Sequence, residues 1–420
     1  MLGFNPNNKY TFFLRISNLN NLSLPKIFVT MRVKQIISTL VLAVCTVGCI
    51  KGHVEDNQTL PIISWGGIPA SKADTLYSLA KECGFDTHLG LYSTQRNALI
   101  SMDAAERAGI GIIISFPQIK DSTEKAVELI KGHPALAAYH LKDEPDTSDF
   151  PWLKLLCKKI SSIDPCHPCY INLLPNWSWG VEEYASKIES YASEFDVPFY
   201  SFDHYPIIEA DGQLRLRPEW YRNLEEFSQM ASRHGKPFWA FALATSHSIV
   251  VPEVAHYPEP DLGQLRLQVF SNLLYGAQAI QYFNFLGLVD PVTCQKKPAF
   301  DLVRQVNSEI KAYSSVFAGC SVRGVWHTGE SIPSGTHRME SMPHKKVSCL
   351  SVTGEGAVIS LLENAGETYL AIQNRDFQNV ATLEIAFNSR VDTVGLSGTS
   401  RFDGKPIELA PGNIAIFRLP

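Results

Sequence analysis

From Leu60 onward an apolar run of strand length is followed by a helical stretch, and the pair recurs eight times before the texture changes. No other feature constrains the fold as much. Consecutive parallel strands need helical crossovers, and eight such units are the number and order that close a barrel. The spacing predicts strands over 61–68, 87–92, 111–116, 135–142, 169–174, 198–205, 237–244 and 279–285. Helices are predicted over 72–83, 98–108, 122–130, 152–160, 181–192, 219–232, 262–275 and 300–317. Gly84, Gly109, Gly235, Gly276 and Gly319 stand at the helix ends, where a left-handed residue favours glycine. The expected fold class is α/β: a (β/α)8 TIM barrel over 60–319.

Past Gly319 the pattern becomes alternating. "GAVISLLENAGETYLAIQNRD" and "VATLEIAFNSRVDTVGLSG" read as strands joined by Gly, Asn and Asp turns, so 320–420 is expected to form a small all-β sandwich domain. The start of the chain is not expected to be part of the fold. Met31-Arg32-Val33-Lys34 is basic, 36–47 is a short apolar run, and "TVGC" ends at Cys49. That is a lipoprotein signal layout with Cys49 as the lipidated residue, and 1–59 then holds an upstream segment, the signal and a linker. An ordinary secretory signal with a chance cysteine is the alternative. The lipoprotein reading implies a lipid anchor in the bacterial cell envelope, periplasmic or at the cell surface.

A net charge of −5 argues against nucleic acid as a partner and against a polybasic membrane patch. Cys166 and Cys169 form C-H-P-C, but just before a predicted strand rather than at a helix N-terminus, where a thiolate would be stabilised. A second ligand pair for zinc is absent at suitable spacing. A disulfide or two free thiols is the expectation there, with no metal and no cofactor.

Barrel chemistry sits at the C-terminal ends of the strands. "AAYHLKDEPD" is the fourth strand running into its loop. Alternation places His140, Lys142 and Glu144 inward or at the mouth, with Asp143 at the rim. The sixth strand, "FYSFDHYP", puts Ser201, Asp203 and Tyr205 on one face and Phe202 and His204 on the other. "YINLLPNW" places Asn172 inward and Asn176 and Trp177 at the rim, a hydroxyl partner and a flat apolar platform suited to a sugar. Trp65, at the end of the first strand, is a further platform candidate.

The order of "DEP" on strand four, "HYP" on strand six and eight βα units resembles glycoside hydrolase clan A, within it the β-galactosidases of family 42, whose barrel is also followed by a β-sandwich. The resemblance implies a carbohydrate substrate and an acid/base glutamate at Glu144, with Asp143 where the clan has Asn. It maps the strand-six tyrosine onto Tyr205 and the strand-eight aromatic onto Tyr282 or Phe285. The clan's nucleophile, a glutamate ending strand seven, has no counterpart in "KPFWAFALATSH". Ala240, Ala242 and Ala244 are expected to face the barrel, with Trp239, Phe241 and Leu243 under the helices.

Three readings follow. Asp203 serves as base to the acid Glu144, with a wide gap and inversion; a salt bridge from Lys142 would compete for Asp203. Alternatively Glu253 or Glu259 folds over the mouth as nucleophile. Or the barrel is a non-catalytic glycan-binding lipoprotein. The expected function is an exported glycoside hydrolase cleaving O-glycosidic bonds of an oligo- or polysaccharide by carboxyl acid/base catalysis.

Overall fold

The structure is a computed structural model that describes residues 59–248 and 256–419. Cys49, the signal segment and Glu253 lie outside the described residues.

The barrel strands are β1 (Ile62–Trp65), β2 (Thr87–Leu91), β3 (Gly111–Ser115), β4 (Leu136–Asp143), β5 (Cys169–Asn172) and β6 (Tyr200–Phe202). A hairpin, β7 (Ile207–Ala210) and β8 (Gln213–Leu216), precedes β9 (Phe238–Leu243) and β10 (Ala279–Phe283). All barrel pairs are parallel, in the order β5-β4-β3-β2-β1-β10-β9-β6. A parallel bridge between Leu173 and Phe202, with Leu173 N–H donating to Ser201 O at 2.8 Å, joins the two ends and closes the barrel.

The crossovers are α1 (Ala73–Glu82), α2 (Gln95–Ala108), α3 (Thr123–Ile130), α4 (Phe150–Ile163), α5 (Tyr184–Glu194), α6 (Trp220–Arg233), α7 (Leu262–Leu274) and α8 (Pro298–Ala312). Local signals set their ends. Thr94 caps α2 by accepting from Asn97 N–H at 3.2 Å, and Gly109 ends that helix at φ 66°. Asp261 caps α7 through Gln264 N–H at 2.8 Å.

The barrel is filled in layers. At its base Ile63, Leu89, Ile113, Phe199 and Ala279 pack with Trp239. Above them lies a buried polar layer. Tyr170 Oη donates to Gln281 Oε1 at 2.7 Å, Gln281 Nε2 donates to Ser201 Oγ at 2.8 Å, and Ser201 Oγ donates to Asn172 Oδ1 at 2.8 Å. The mouth lies over this layer.

The faces of β9 are the reverse of the sequence expectation. Ala240, Ala242 and Ala244 join the outer core under the helices, while Trp239, Phe241 and Leu243 point into the barrel. The small residues let α7 approach closely enough for its side chains to bond the strand. Asn272 Nδ2 donates to Phe241 O at 3.0 Å, and Gln268 Oε1 accepts from Leu243 N–H at 2.8 Å. Tyr282 likewise faces outward, against Phe85 at 5.8 Å, and does not reach the mouth; its strand neighbour Phe283 does. Phe285 is also buried in the outer core.

The C-terminal region is two antiparallel sheets. The larger contains β11 (Ser321–His327), β13 (Ala357–Asn364), β14 (Glu367–Asn374), β16 (Asp392–Gly395), β17 (Gly398–Arg401) and β19 (Ile414–Leu419). The smaller contains β12 (Val347–Val352), β15 (Ala381–Phe387) and β18 (Ile407–Leu409). Between β13 and β14 the two-residue turn Ala365-Gly366 has φ of 50° and 82°, the primed turn that matches strand twist. One face of the larger sheet packs into the sandwich core, through Ile359, Ile372 and Phe417. The other face, through Val358, Leu362 and Ala371, packs into the barrel's outer core.

Gln373 secures that joint. It accepts from Ser271 Oγ of α7 at 2.7 Å and donates to the carbonyls of Leu267 and Gly412 at 3.1 and 2.9 Å. Gln373→Ala would leave these buried groups unpaired, and is expected to cost about 1–3 kcal/mol. Thermal unfolding reads this as a lower Tm; an unchanged Tm would contradict the role.

Candidate functional site

Strand β4 carries a register shift between His140 and Lys142. The extra residue, Leu141, turns into the outer core, and the alternation beyond it is offset by one. Asp143 therefore comes level with Asn172 of β5, and Lys142 leaves the barrel to pair with Asp149 at 3.5 Å. The Lys142–Asp203 salt bridge considered from the sequence is not made. Glu144 follows at φ 47°, its N–H donating to Asn172 O at 2.9 Å. Left-handed backbone at a non-glycine residue costs on the order of 1–3 kcal/mol and is held only where the surroundings impose it.

Three carboxyls meet at this point. Asn172 Nδ2 donates to Asp203 Oδ1 at 2.8 Å and to Asp143 Oδ1 at 3.2 Å. The bond from Ser201 to Asn172 Oδ1 fixes which way the amide faces. Asn172 is thus a positioning residue below the cavity rather than part of its lining. The carboxyls of Glu144 and Asp203 lie within hydrogen-bonding reach of each other, closer than the wide gap expected from the sequence.

Depth separates their protonation. Asp203 is buried, 7% exposed; burial, then the charges of Glu144 and Asp143, push it well above the ordinary carboxylate range. Burial followed by Glu144 raises Asp143 to about 7. Glu144 is raised by loss of water too, but its bond with Asp203 opposes the rise, and its side chain still reaches solvent. Burial therefore favours the protonated form more strongly at Asp203 than at Glu144, and the two titrate as a pair.

Asp143 gives a stability test with a definite sign. Its folded-state pKa, about 7, lies above the ordinary value of 3.8. Between these values the folded state holds the extra proton, so stability falls as pH rises through the window, and the loss is complete above it. Asp143→Asn is expected to raise Tm relative to wild type at pH 8, with the difference shrinking toward about pH 4. A lower Tm for the variant at pH 8 would overturn this.

The carboxyls open into a cavity of ≈ 240 Å³, lined also by Trp65, Trp177, His204, Tyr205, Tyr257 and Phe283. Its rings form a continuous wall. Trp65 meets Phe283 at 5.1 Å, Phe283 meets Tyr205 at 6.0 Å, and Tyr205 meets Tyr257 at 5.6 Å. The Arg217 guanidinium lies 4.4 Å over Trp177 and 5.6 Å over Tyr257, locking both from behind. Burial raises the Tyr205 phenol well above its ordinary range, reinforced by the three carboxyls, so it keeps its proton.

His204 was expected on the opposite face from Asp203, yet it lines the cavity, because β6 ends at Phe202 and strand alternation no longer applies. Asn223 Oδ1 accepts from Asn176 N–H at 2.7 Å and lies 3.2 Å from His204 Nδ1, which must therefore donate. Burial holds the ring neutral, with a pKa of about 3. Its Nε2 is then a buried acceptor without a partner, and the Trp177 indole N–H is a buried donor without one.

Of the other sequence candidates, Asn176 is wholly buried, its amide donating to Glu219 O at 3.0 Å, so it builds the loop and does not line the cavity. His140 opens onto a neighbouring cavity. Glu259 is exposed and lies outside the carboxyl-lined cavity, so it is not brought to the carboxyls. His204, Tyr257 and Phe283 were missed. Only the aromatic density of "FDHYP" and "AHYPEP" pointed toward them. Cys169 is a free buried thiol, so the C-H-P-C cysteines are not paired with each other. A larger hollow of ≈ 970 Å³ lies between α6 and β11 and holds no comparable convergence of acids.

Fold and site define a class: a (β/α)8 barrel with a carboxyl cluster under an aromatic-walled pocket at the strand C-termini. No protein-family model matches the chain, and no curated protein matches it. Solved structures similar to it include glycoside hydrolases. A GH5_18 protein of Bifidobacterium longum in complex with Manb1-4GlcNAc has 9% identity and a TM-score of 0.44, over 59% of this chain and 78% of that one. Thermotoga maritima alpha-fucosidase has 11% identity and a TM-score of 0.41, over 84% and 76%. A GH99 endo-alpha-mannosidase has 10% identity and a TM-score of 0.40, over 60% and 97%.

Proposed function

We propose that the protein is an exported, lipid-anchored glycoside hydrolase that cleaves O-glycosidic bonds of an oligo- or polysaccharide, with Asp203 as general acid and Glu144 as the ionised carboxyl that attacks the anomeric carbon. The observation that carries this reading is that Glu144 and Asp203 approach each other in one cavity, with Asp203 buried and Glu144 reaching solvent. Such a split assigns acid and nucleophile roles in carboxyl pairs. It reverses the roles expected from the sequence, where Glu144 was the acid.

Contact between the pair favours retention. An inverting pair sits about 6.5–9.5 Å apart to hold a water, a retaining pair about 5–5.5 Å. A sugar entering here meets two closely placed carboxyls rather than a wide gap. Asp203 protonates the leaving oxygen as Glu144 forms the glycosyl bond. Asp203, now ionised, then takes a proton from the water that releases the sugar. Asp143 and Tyr205 stand beside the pair; Tyr205 keeps its proton near neutral pH, and Asp143, raised to about 7, is part-protonated there. Trp65, Trp177 and Phe283 offer flat faces to a ring, and His204 Nε2 and the Trp177 N–H accept from and donate to its hydroxyls. A cavity of ≈ 240 Å³ is smaller than drug-sized sites and suits about one ring.

The test is release of reducing sugar from a broad glycan panel by the wild type, with binding measured in parallel. Hydrolysis is expected. Binding without any hydrolysis would favour the glycan-binding alternative, which the absence of a carboxylate on β9 keeps in view.

A further inference from the structure

A second cavity, ≈ 420 Å³, opens at the ends of β2, β3 and β4, beside the first. The Asp143 carboxyl lines both. Its other lining includes Ser93, Lys120, His140 and Lys142. Lys120 is lowered by burial first and by the charge of Lys142 second. Their compensation is partial. Lys142 has Asp149 at 3.5 Å and Asp143 nearby, and Lys120 lies 5.7 Å over the half-exposed Trp152 ring, with Asp121 and Asp149 offsetting its charge only in part. Asp149 is also engaged elsewhere, accepting from Asp146 N–H and Trp152 Nε1, each at 3.0 Å.

His140 is the second observation. It is 4% exposed, and neither ring nitrogen has a partner. An unpaired buried imidazole costs free energy unless a ligand completes it. Held neutral, it offers one N–H and one acceptor at the wall of a cavity whose two cations lack full counter-charge.

We propose that this cavity binds the anionic group, a carboxylate or a sulfate ester, of an acidic sugar unit adjoining the bond cleaved at Glu144 and Asp203, so that the substrate is an acidic glycan. Cleavage at that bond rests on the function proposed above; the binding does not. Lys120 and Lys142 supply the charge, and His140 a directed N–H.

The test measures binding, by calorimetry, of hyaluronan and chondroitin sulfate oligosaccharides against neutral xylan and laminarin oligosaccharides. Wild type is expected to prefer at least one acidic set by tenfold or more. Added salt should weaken that binding and leave neutral binding unchanged. The Lys120→Met, Lys142→Met double variant should lose at least tenfold on the acidic set, and the Lys120→Arg, Lys142→Arg variant should keep it. Equal affinity for acidic and neutral sets, or no salt dependence, would overturn the proposal even if the methionine variant failed to fold. A wild type that hydrolyses only neutral glycans would sink this inference and leave the hydrolase reading intact. Salt-sensitive acidic binding without turnover would do the reverse.

Discussion

Asp203→Asn is expected to lower kcat on natural glycosides by about 10²–10⁴-fold, the range one general acid supplies. The amide keeps the shape and still accepts the Asn172 hydrogen bond, so sugar affinity should change little. The loss should shrink on aryl glycosides with good leaving groups, which need little protonation. The pH profile gives a second reading. In wild type, kcat/KM should fall on the alkaline side as the Glu144–Asp203 pair loses its proton, at a pH above the ordinary carboxylate range. The variant should lack that limb. An equal loss on activated and natural substrates would contradict the acid role.

Glu144→Gly removes the proposed nucleophile, and turnover is expected to fall by a factor on the order of 10⁴–10⁶, as when a nucleophile is deleted elsewhere. The deletion leaves a space beside the anomeric carbon that azide can enter. Azide should restore turnover on an activated glycoside and yield a glycosyl azide of inverted configuration. The substitution also relieves the backbone, since φ of 47° suits glycine, so the protein should fold at least as well. If azide instead rescues Asp203→Ala with an inverted product, the two carboxyls hold the opposite roles.

The barrel was legible because its signal is periodic and long. Eight alternations of apolar run and amphipathic stretch survive errors of a few residues at each boundary, and strand C-termini then locate the mouth. Glu144, Asp203, Asp143, Trp65, Trp177 and Tyr205 all line the carboxyl cavity for that reason. What failed was alternation, which holds only inside an unbroken strand. The irregularity at Leu141 sent Lys142 outward and brought Asp143 to Asn172, and nothing in "HLKDEP" announces it. The end of β6 at Phe202 freed His204 to turn inward.

The faces of β9 misled for another reason. Bulky residues on a barrel strand are expected under the helices, whereas here α7 packs closely on alanines and the large rings fill the barrel top. Depth was also invisible. Asp203 and Glu144 are both simply acids in sequence, and only burial tells which one keeps the proton.

The most direct measurement is the configuration of the first-formed product, followed by proton NMR during hydrolysis of a glycoside by the wild-type protein. Two closely placed carboxyls acting as acid and nucleophile predict that the anomer first released has the configuration of the substrate, with mutarotation only later. An inverted first product would mean that water attacks directly, and would contradict the assignment of Glu144 as nucleophile.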